Sequence, residues 1–333
     1  MTFPFLSMVV FLMIPALFNL LARCVAVFGF KKKWPPIKPL CIELFVSVLI
    51  NGTLGIGIGM VLKTSGASEK FFFRPSLKDY GELVKIDHSK TAVKISSGDR
   101  ELDGVILMPA NKVPDALILH FHEGFRNISH TIKNVNWLVD HGFAVMAFDY
   151  SGYGKSTGPT SMSNLIEDGR SAIRESRNIE KVKDLPLVLF GQSMGGQLAI
   201  ISAALETPNK CLIVSESTYA DARVHASDKM SQLGFLWLFK WIGYLATNNE
   251  FIALDYIEKI SPDKFLLAHG GRDTDILPKH GKALFDATQD KAQSIFPDHL
   301  GHLDIFTKEQ YRLICVSFIR DKLNLISKSI DKP

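Results

Sequence analysis

The chain opens on two apolar stretches. Residues 4–22, PFLSMVVFLMIPALFNLLA, carry no charge and run on through Arg23 into CVAVFGF before the basic cluster KKKWPPIK. A second stretch, Leu40 to Leu62, is interrupted by Glu43, Asn51 and glycines. Each approaches the roughly 20 residues that cross a bilayer, so residues 1–65 are predicted to form a membrane anchor of one or two hydrophobic helices. Gly52, Gly55, Gly57 and Gly59 make the second stretch a poor helix in water, which leaves a span or an interfacial segment open there. The basic residues follow the first run, whereas in a secretory leader they precede it. If both stretches cross, Lys31, Lys32, Lys33 and Lys38 lie in the cytoplasm and the rest of the chain outside; if one crosses, the orientation can reverse.

From about Lys70 the texture changes. Short β-like runs, TAVKISS and ELDGVILMP, are followed by stronger strands at DALILHFH and FAVMAFDY, with the helix-like NVNWLVDHG between the last two. The alternation continues with a helix near 163–177, strand LPLVLFG, helix MGGQLAIISAAL, strands CLIVSES, KFLLAHG and KAQSIFP, and a final helix over 304–324. Strand, helix, strand alternation predicts an α/β fold: a mostly parallel, doubly wound sheet with helices on both faces, binding ligands at the carboxyl ends of its strands. This domain is expected over 70–326, with a lid-like insertion at about 218–260 that contains the aromatic FLWLFKWIGYL. The same pattern also suits a helix simply packed on the core.

Composition narrows the possibilities. A chain of 333 residues with 47% apolar content can bury a large core, and its formal charge of +4 is spread thinly, so no nucleic-acid partner is expected. Cys24, Cys41, Cys211 and Cys315 lie far apart without CxxC spacing, which argues against a zinc site or a disulfide framework.

Candidate chemistry gathers at predicted strand ends. Gly191-Gln192-Ser193-Met194-Gly195 follows a strand and opens a helix, the setting of a nucleophile elbow. A serine hydroxyl needs a base to take its proton and a carboxylate to orient that base. Asp273, just past KFLLAHGG, is the candidate acid, with Asp275 as alternative; His302 is the candidate base, with His299 as alternative. Backbone donors for an oxyanion are expected from Met194 and from the loop His122-Glu123-Gly124-Phe125, at Gly124 or else Phe125. His120 and His122 share one strand face, but no third ligand supports a metal, and the GKS at 154–156 lacks the earlier glycine of a phosphate loop. No metal and no cofactor are expected.

With these residues assembled, the region from about Lys70 to Asn324 resembles α/β-hydrolases of the Bem46-like group, related to the ABHD-type membrane-associated serine hydrolases and the serine aminopeptidase-like set. The resemblance rests on LILHFHEGFRNIS, NVNWLVDHGFAVMAFDYSGYGKSTG, GQSMGG, HGGRDTD and the terminal Gly301-His302 pair. The resemblance implies a serine hydrolase but no particular substrate; the expected activity is hydrolysis of an ester or thioester through Ser193, with a peptidase or amidase as one alternative and, because of Glu123, a non-catalytic scaffold as another. The anchor and the aromatic stretch at 235–245 point to a small-molecule or lipid acyl substrate met at a membrane. Two departures stand out: Glu123 replaces the glycine of a usual His-Gly-Asn, and Pro278 lies one residue further from Asp273 than usual.

Overall fold

A computed structural model describes residues 52–66, 69–110, 112–248 and 250–330 of the chain. These form two compact units, one of residues 72–225 with 250–330 and one of residues 52–71 with 226–248. The uncharged run at 4–22 and most of the second apolar stretch lie outside the described residues. Among the described residues no helix is long and apolar enough to cross a membrane.

The larger unit is built on an eight-stranded sheet. Its strands are β1 (Ser89–Ser97), β2 (Arg100–Met108), β3 (Leu117–Phe121), β4 (Ala144–Phe148), β5 (Leu187–Gln192), β6 (Leu212–Glu216), β7 (Phe265–Ala268) and β8 (Gln293–Ile295), in the order β8-β7-β6-β5-β3-β4-β2-β1. β1 and β2 pair antiparallel, as do β2 and β4, and every other pairing is parallel. Strands β3 to β7 are buried at every position, in keeping with apolar runs such as AVMAF that serve a sheet covered on both faces. At one edge, β1 carries exposed Lys90 and Lys94, charges that discourage pairing with another chain.

Side chains alternate across the sheet. Ile118, Val145, Val188, Phe190, Val214 and Leu266 pack on one face with Trp137, Cys315, Phe318 and Ile319. On the other, helix α1 (Met162–Ser176) crosses helix α2 (Met194–Glu206) so closely that a Cβ at Gly169 would stand 2.5 Å from Ser202 Oγ and 2.6 Å from the Phe121 ring. The sheet strands fall where periodicity predicts them. The helix expected at 134–142 is instead a 3-10 turn, Ile132–Asn134, and one helical turn, Trp137–Asp140, ended by Gly142 at φ 89°. The final helix is likewise divided, into a turn at Ile305–Thr307 and helix α4 (Glu309–Ile330), because Lys308 is extended between them. Helix α3 (Lys279–Ala287), which the sequence reading did not single out, supplies the crossover that parallel β7 and β8 require.

The smaller unit contains the helix over 52–64 and the helix Lys240–Ala246. Gly55 and Gly59, four residues apart, face Trp241 and Leu245, and a Cβ on Gly59 would lie 3.2 Å from that of Leu245. Leu62, Ile242 and Ala246 are buried between the helices. The glycines that weaken this helix in water thus permit close helix contact. Its remaining surface leaves Leu54, Ile56, Met60 and Val61 exposed.

In the larger unit, fully buried Asp168 on α1 joins three segments. It accepts hydrogen bonds from Ser97 Oγ and Ser151 N, both at 2.7 Å, and pairs with Arg100 at 3.2 Å. Removing one partner of a buried pair costs about 3–5 kcal/mol, against about 0–1 kcal/mol at an exposed pair. Asp168→Ala is therefore expected to lower unfolding free energy by about 3–5 kcal/mol in urea titrations, whereas loss of the half-exposed Asp115–Arg320 bridge changes it by less than about 1 kcal/mol.

Candidate active site

Ser193 stands between β5 and α2 with φ 55° and ψ −121°, a backbone conformation that costs a non-glycine residue about 1–3 kcal/mol. The surrounding glycines explain why the chain accepts it. A Cβ on Gly191 would lie 2.5 Å from the Gly195 carbonyl oxygen, and one on Gly195 would lie 2.5 Å from the His122 carbonyl oxygen. The Ser193 N–H is held by the Glu216 carbonyl at 2.9 Å. The turn lets the nucleophile candidate end one element and begin the next.

Asp273 lies in the turn after β7, fully buried. Its Oδ1 accepts the N–H groups of Asp275 and Ile276 at 2.9 and 2.8 Å, and its Oδ2 lies 2.8 Å from His302 Nδ1. Burial disfavours the charged carboxylate, yet bonds from His269 and His302, attraction to His302 and the Ile276 N–H hold its pKa well below the usual carboxylate range. Asp275 is part-exposed and stands 3.6 Å from the other ring nitrogen, Nε2, of His302. The alternative base, His299, is exposed. Geometry thus brings Asp273 and His302 together, with the ionised acid on the nitrogen that leaves Nε2 for a substrate-side role.

The pKa of His302 is raised. Burial opposes its protonation, but hydrogen bonding and attraction to Asp273, with further attraction to Asp275 and Glu216, prevail. His269 is a supporting residue that the sequence reading did not identify. Its Nε2 donates to the Ile276 carbonyl at 2.8 Å and lies 3.4 Å from Asp273 Oδ2, while Gly281 of α3 leaves room for its ring.

The oxyanion candidates occupy matching positions. Met194 is the first residue of α2, where N–H groups have no partner within the helix. In the facing loop, the Tyr150 hydroxyl donates to the His122 carbonyl at 3.2 Å, His122 Nδ1 to the Glu123 carbonyl at 2.7 Å, and the Tyr153 hydroxyl to the Gly124 carbonyl at 3.0 Å. In a trans peptide the C=O of one residue and the N–H of the next point in opposite directions. Drawing the Glu123 carbonyl toward His122 therefore turns the Gly124 N–H the other way. Gly124 also has to be glycine, since a Cβ would lie 2.5 Å from the Phe72 carbonyl and 3.3 Å from Met194 Sδ. The spacing of Tyr150 and Tyr153 was the available signal for these anchors, and the reading of that segment as a failed phosphate loop passed over it.

Around the loop, burial governs protonation. It depresses His120 and His122 to about 4 and about 3, so both are neutral; His120 meets Gln192 at 3.2 Å and His122 lies 3.6 Å from Asp149. It pushes Asp149 up to about 8 despite the Ile128 N–H bond. Burial also raises Glu123 to about 7, against a bond from its own N–H and the pull of His302 and Arg126, and its Oε2 is buried without a hydrogen-bond partner. Among the described residues no group of three or more His, Cys, Asp or Glu side chains is placed to hold a metal.

Comparisons with known proteins agree with this architecture. Residues 112–251 match the family described as serine aminopeptidase, S33. The chain is 31% identical over 263 residues to the uncharacterized protein YfhR of Escherichia coli O157:H7, covering 76% of this chain and 88% of that protein. It is 26% identical over 179 residues to the human α/β hydrolase domain-containing protein 17B, covering 54% of this chain and 57% of that one. Among solved structures, the Pyrococcus furiosus esterase Pf2001 is similar with a TM-score of 0.62 at 19% identity, over 75% of this chain and 98% of the esterase. Sheet order, strand-to-helix elbow and these relatives together assign the chain to the α/β-hydrolase superfamily.

Proposed function

We propose that this chain is a serine hydrolase that cleaves an ester or thioester through an acyl-enzyme at Ser193, without a cofactor. The observation that carries the reading is the ionised, buried Asp273 at 2.8 Å from His302 Nδ1, at the same sheet edge as the strained Ser193 turn. In this mechanism Ser193 Oγ attacks the substrate carbonyl while His302 Nε2 takes its proton. Asp273 keeps the Nδ1 proton in place and stabilises the imidazolium. The N–H groups of Met194 and Gly124 receive the developing oxyanion. Collapse expels the leaving group with the proton from His302, and a water activated by the same imidazole then releases the acid and regenerates the serine.

A peptidase or amidase working through the same residues is the second reading, favoured by the family's description as a serine aminopeptidase. We also propose that the chain meets a lipid or other apolar acyl substrate at a membrane. The uncharged run over 4–22 and the exposed Leu54, Ile56, Met60 and Val61 of the smaller unit support this.

A fluorophosphonate probe is expected to label the purified, detergent-solubilised protein. Labelling should disappear in Ser193→Ala, fall sharply in His302→Ala, and slow by about 10⁴-fold in Asp273→Asn. Folded wild-type protein that never labels would instead favour a non-catalytic scaffold. Matched ester and peptide substrates of one acyl group decide between esterase and peptidase, the ester being expected to turn over faster.

The raised pKa of His302 fixes the sign of the pH dependence. The base works only when unprotonated, and its folded-state pKa exceeds the ordinary value of about 6.5. Activity is therefore expected to fall as pH drops, with a kcat/KM midpoint above about 6.5. Asp273→Asn removes the main support for the imidazolium and should move the residual midpoint down; a midpoint that stays put would contradict the assigned partnership.

A further inference from the structure

Glu216, the last residue of β6, has a fully buried side chain that none of the steps above uses. Gln192 Nε2 donates to its Oε2 at 2.6 Å, and the N–H groups of Ile305 and Phe306 donate to its Oε1 at 3.1 and 3.2 Å. Its backbone carbonyl accepts the Ser193 N–H at 2.9 Å. The next residue continues the connection, since Ser217 Oγ accepts the Leu303 N–H at 3.3 Å. One short stretch of chain therefore holds the residue before the nucleophile, the nucleophile's own N–H, and the residues immediately after His302.

Two features suggest more than space filling. A buried carboxylate is costly unless its lone pairs are satisfied, and an apolar side chain would fill the volume without that cost. Here three N–H donors converge on the two oxygens, an arrangement that an acceptor satisfies and an apolar group does not. Positive φ values also mark both ends of the connection: Ser193 at 55°, Ser217 at 51° and Leu303 at 57°. Such backbone persists where the surroundings hold it: the Glu216 carbonyl accepts the Ser193 N–H, the Ala268 carbonyl the Ser217 N–H at 2.8 Å, and Ser217 Oγ the Leu303 N–H.

We propose that Glu216 is a positioning residue whose carboxylate fastens the Ser193 elbow to the His302 loop and thereby sets the approach of the imidazole to the serine. The inference rests on the serine-hydrolase reading and concerns how that site is kept assembled. Glu216 touches neither substrate nor the reacting atoms. Its effect passes through Gln192 on one side and through Ile305 and Phe306 on the other.

The test is the rate of fluorophosphonate labelling in full-length protein, measured across probe concentrations, with thermal unfolding to verify that each variant is folded. Glu216→Ala is expected to slow the maximal labelling rate by about 100-fold, the scale of a misplacement of about 1 Å, with little change in the half-saturating probe concentration. Glu216→Gln sets an amide nitrogen against Gln192 Nε2 and is expected to be slowed as well. Combining it with Gln192→Glu returns an acceptor to every donor and should restore most of the rate. A folded Glu216→Ala that labels like wild type would overturn the proposal, as would a folded double variant no faster than Glu216→Gln alone. Should Glu216→Ala fail to fold, the Glu216→Gln pair decides. Wild-type protein that does not label removes the hydrolase reading itself, a different result from a labelling wild type indifferent to Glu216.

Discussion

The carboxyl edge of the sheet depends on how closely the backbone passes itself at the elbow. At Gly195, α2 begins almost on top of the carbonyl groups that end β3, and Gly191 at the end of β5 passes as close to Gly195 and Gly196, so only hydrogen atoms fit at either glycine. That approach sets where Ser193 stands, which strand end Met194 faces, and how near the loop at 122–125 comes. A single added methyl group would force a strand or a helix to move, and interiors packed at crystal-like density do not absorb such shifts gradually.

Around that constraint the protein places carboxyl groups in contrasting environments. Asp273 is buried but ringed by donors and a histidine, so it is ionised. Asp149 and Glu123 are buried with fewer compensating contacts, and their pKa values rise toward and past neutrality. Residue type alone does not distinguish these three acids; the number and direction of nearby N–H groups does. The same reasoning distinguishes the buried histidines at 120 and 122, which stay neutral, from His302, which a facing carboxylate makes more basic.

Much of this was legible in the sequence, for identifiable reasons. Strands such as LVLFGQ and AVMAF are continuous apolar runs bounded by polar or glycine-rich turns, a local pattern. The elbow also announces itself locally, because its glycines and serine are contiguous. The helices near 134 and 305 are shorter than the hydrophobic pattern predicts, since a positive φ at Gly142 and an extended Lys308 leave little trace in such a pattern. Glu216 and His269 escaped for a different reason. Glu216 is hydrogen-bonded to residues 24 and about 90 positions away in the chain, and no local pattern marks His269, four residues before Asp273, as lying beside that carboxylate. Choosing between Asp273 and Asp275 likewise required coordinates, since both follow the same strand and only one has its carboxylate against Nδ1 of the histidine.

The order of strands in the sheet has a consequence for how the protein comes into being. β5 bears the elbow, β7 the acid turn and β8 leads to His302, so the groups of one small site leave the ribosome more than a hundred residues apart. The connection to Ile305 and Phe306 closes only when β8 has joined the edge of the sheet. Parallel pairings of this span form slowly, because the loops between them must close before any contact rewards it. A nascent chain therefore carries the elbow with no His302 beside it while the next 109 residues are made, and brings Asp273 and His302 to it only once β7 and β8 have joined the sheet.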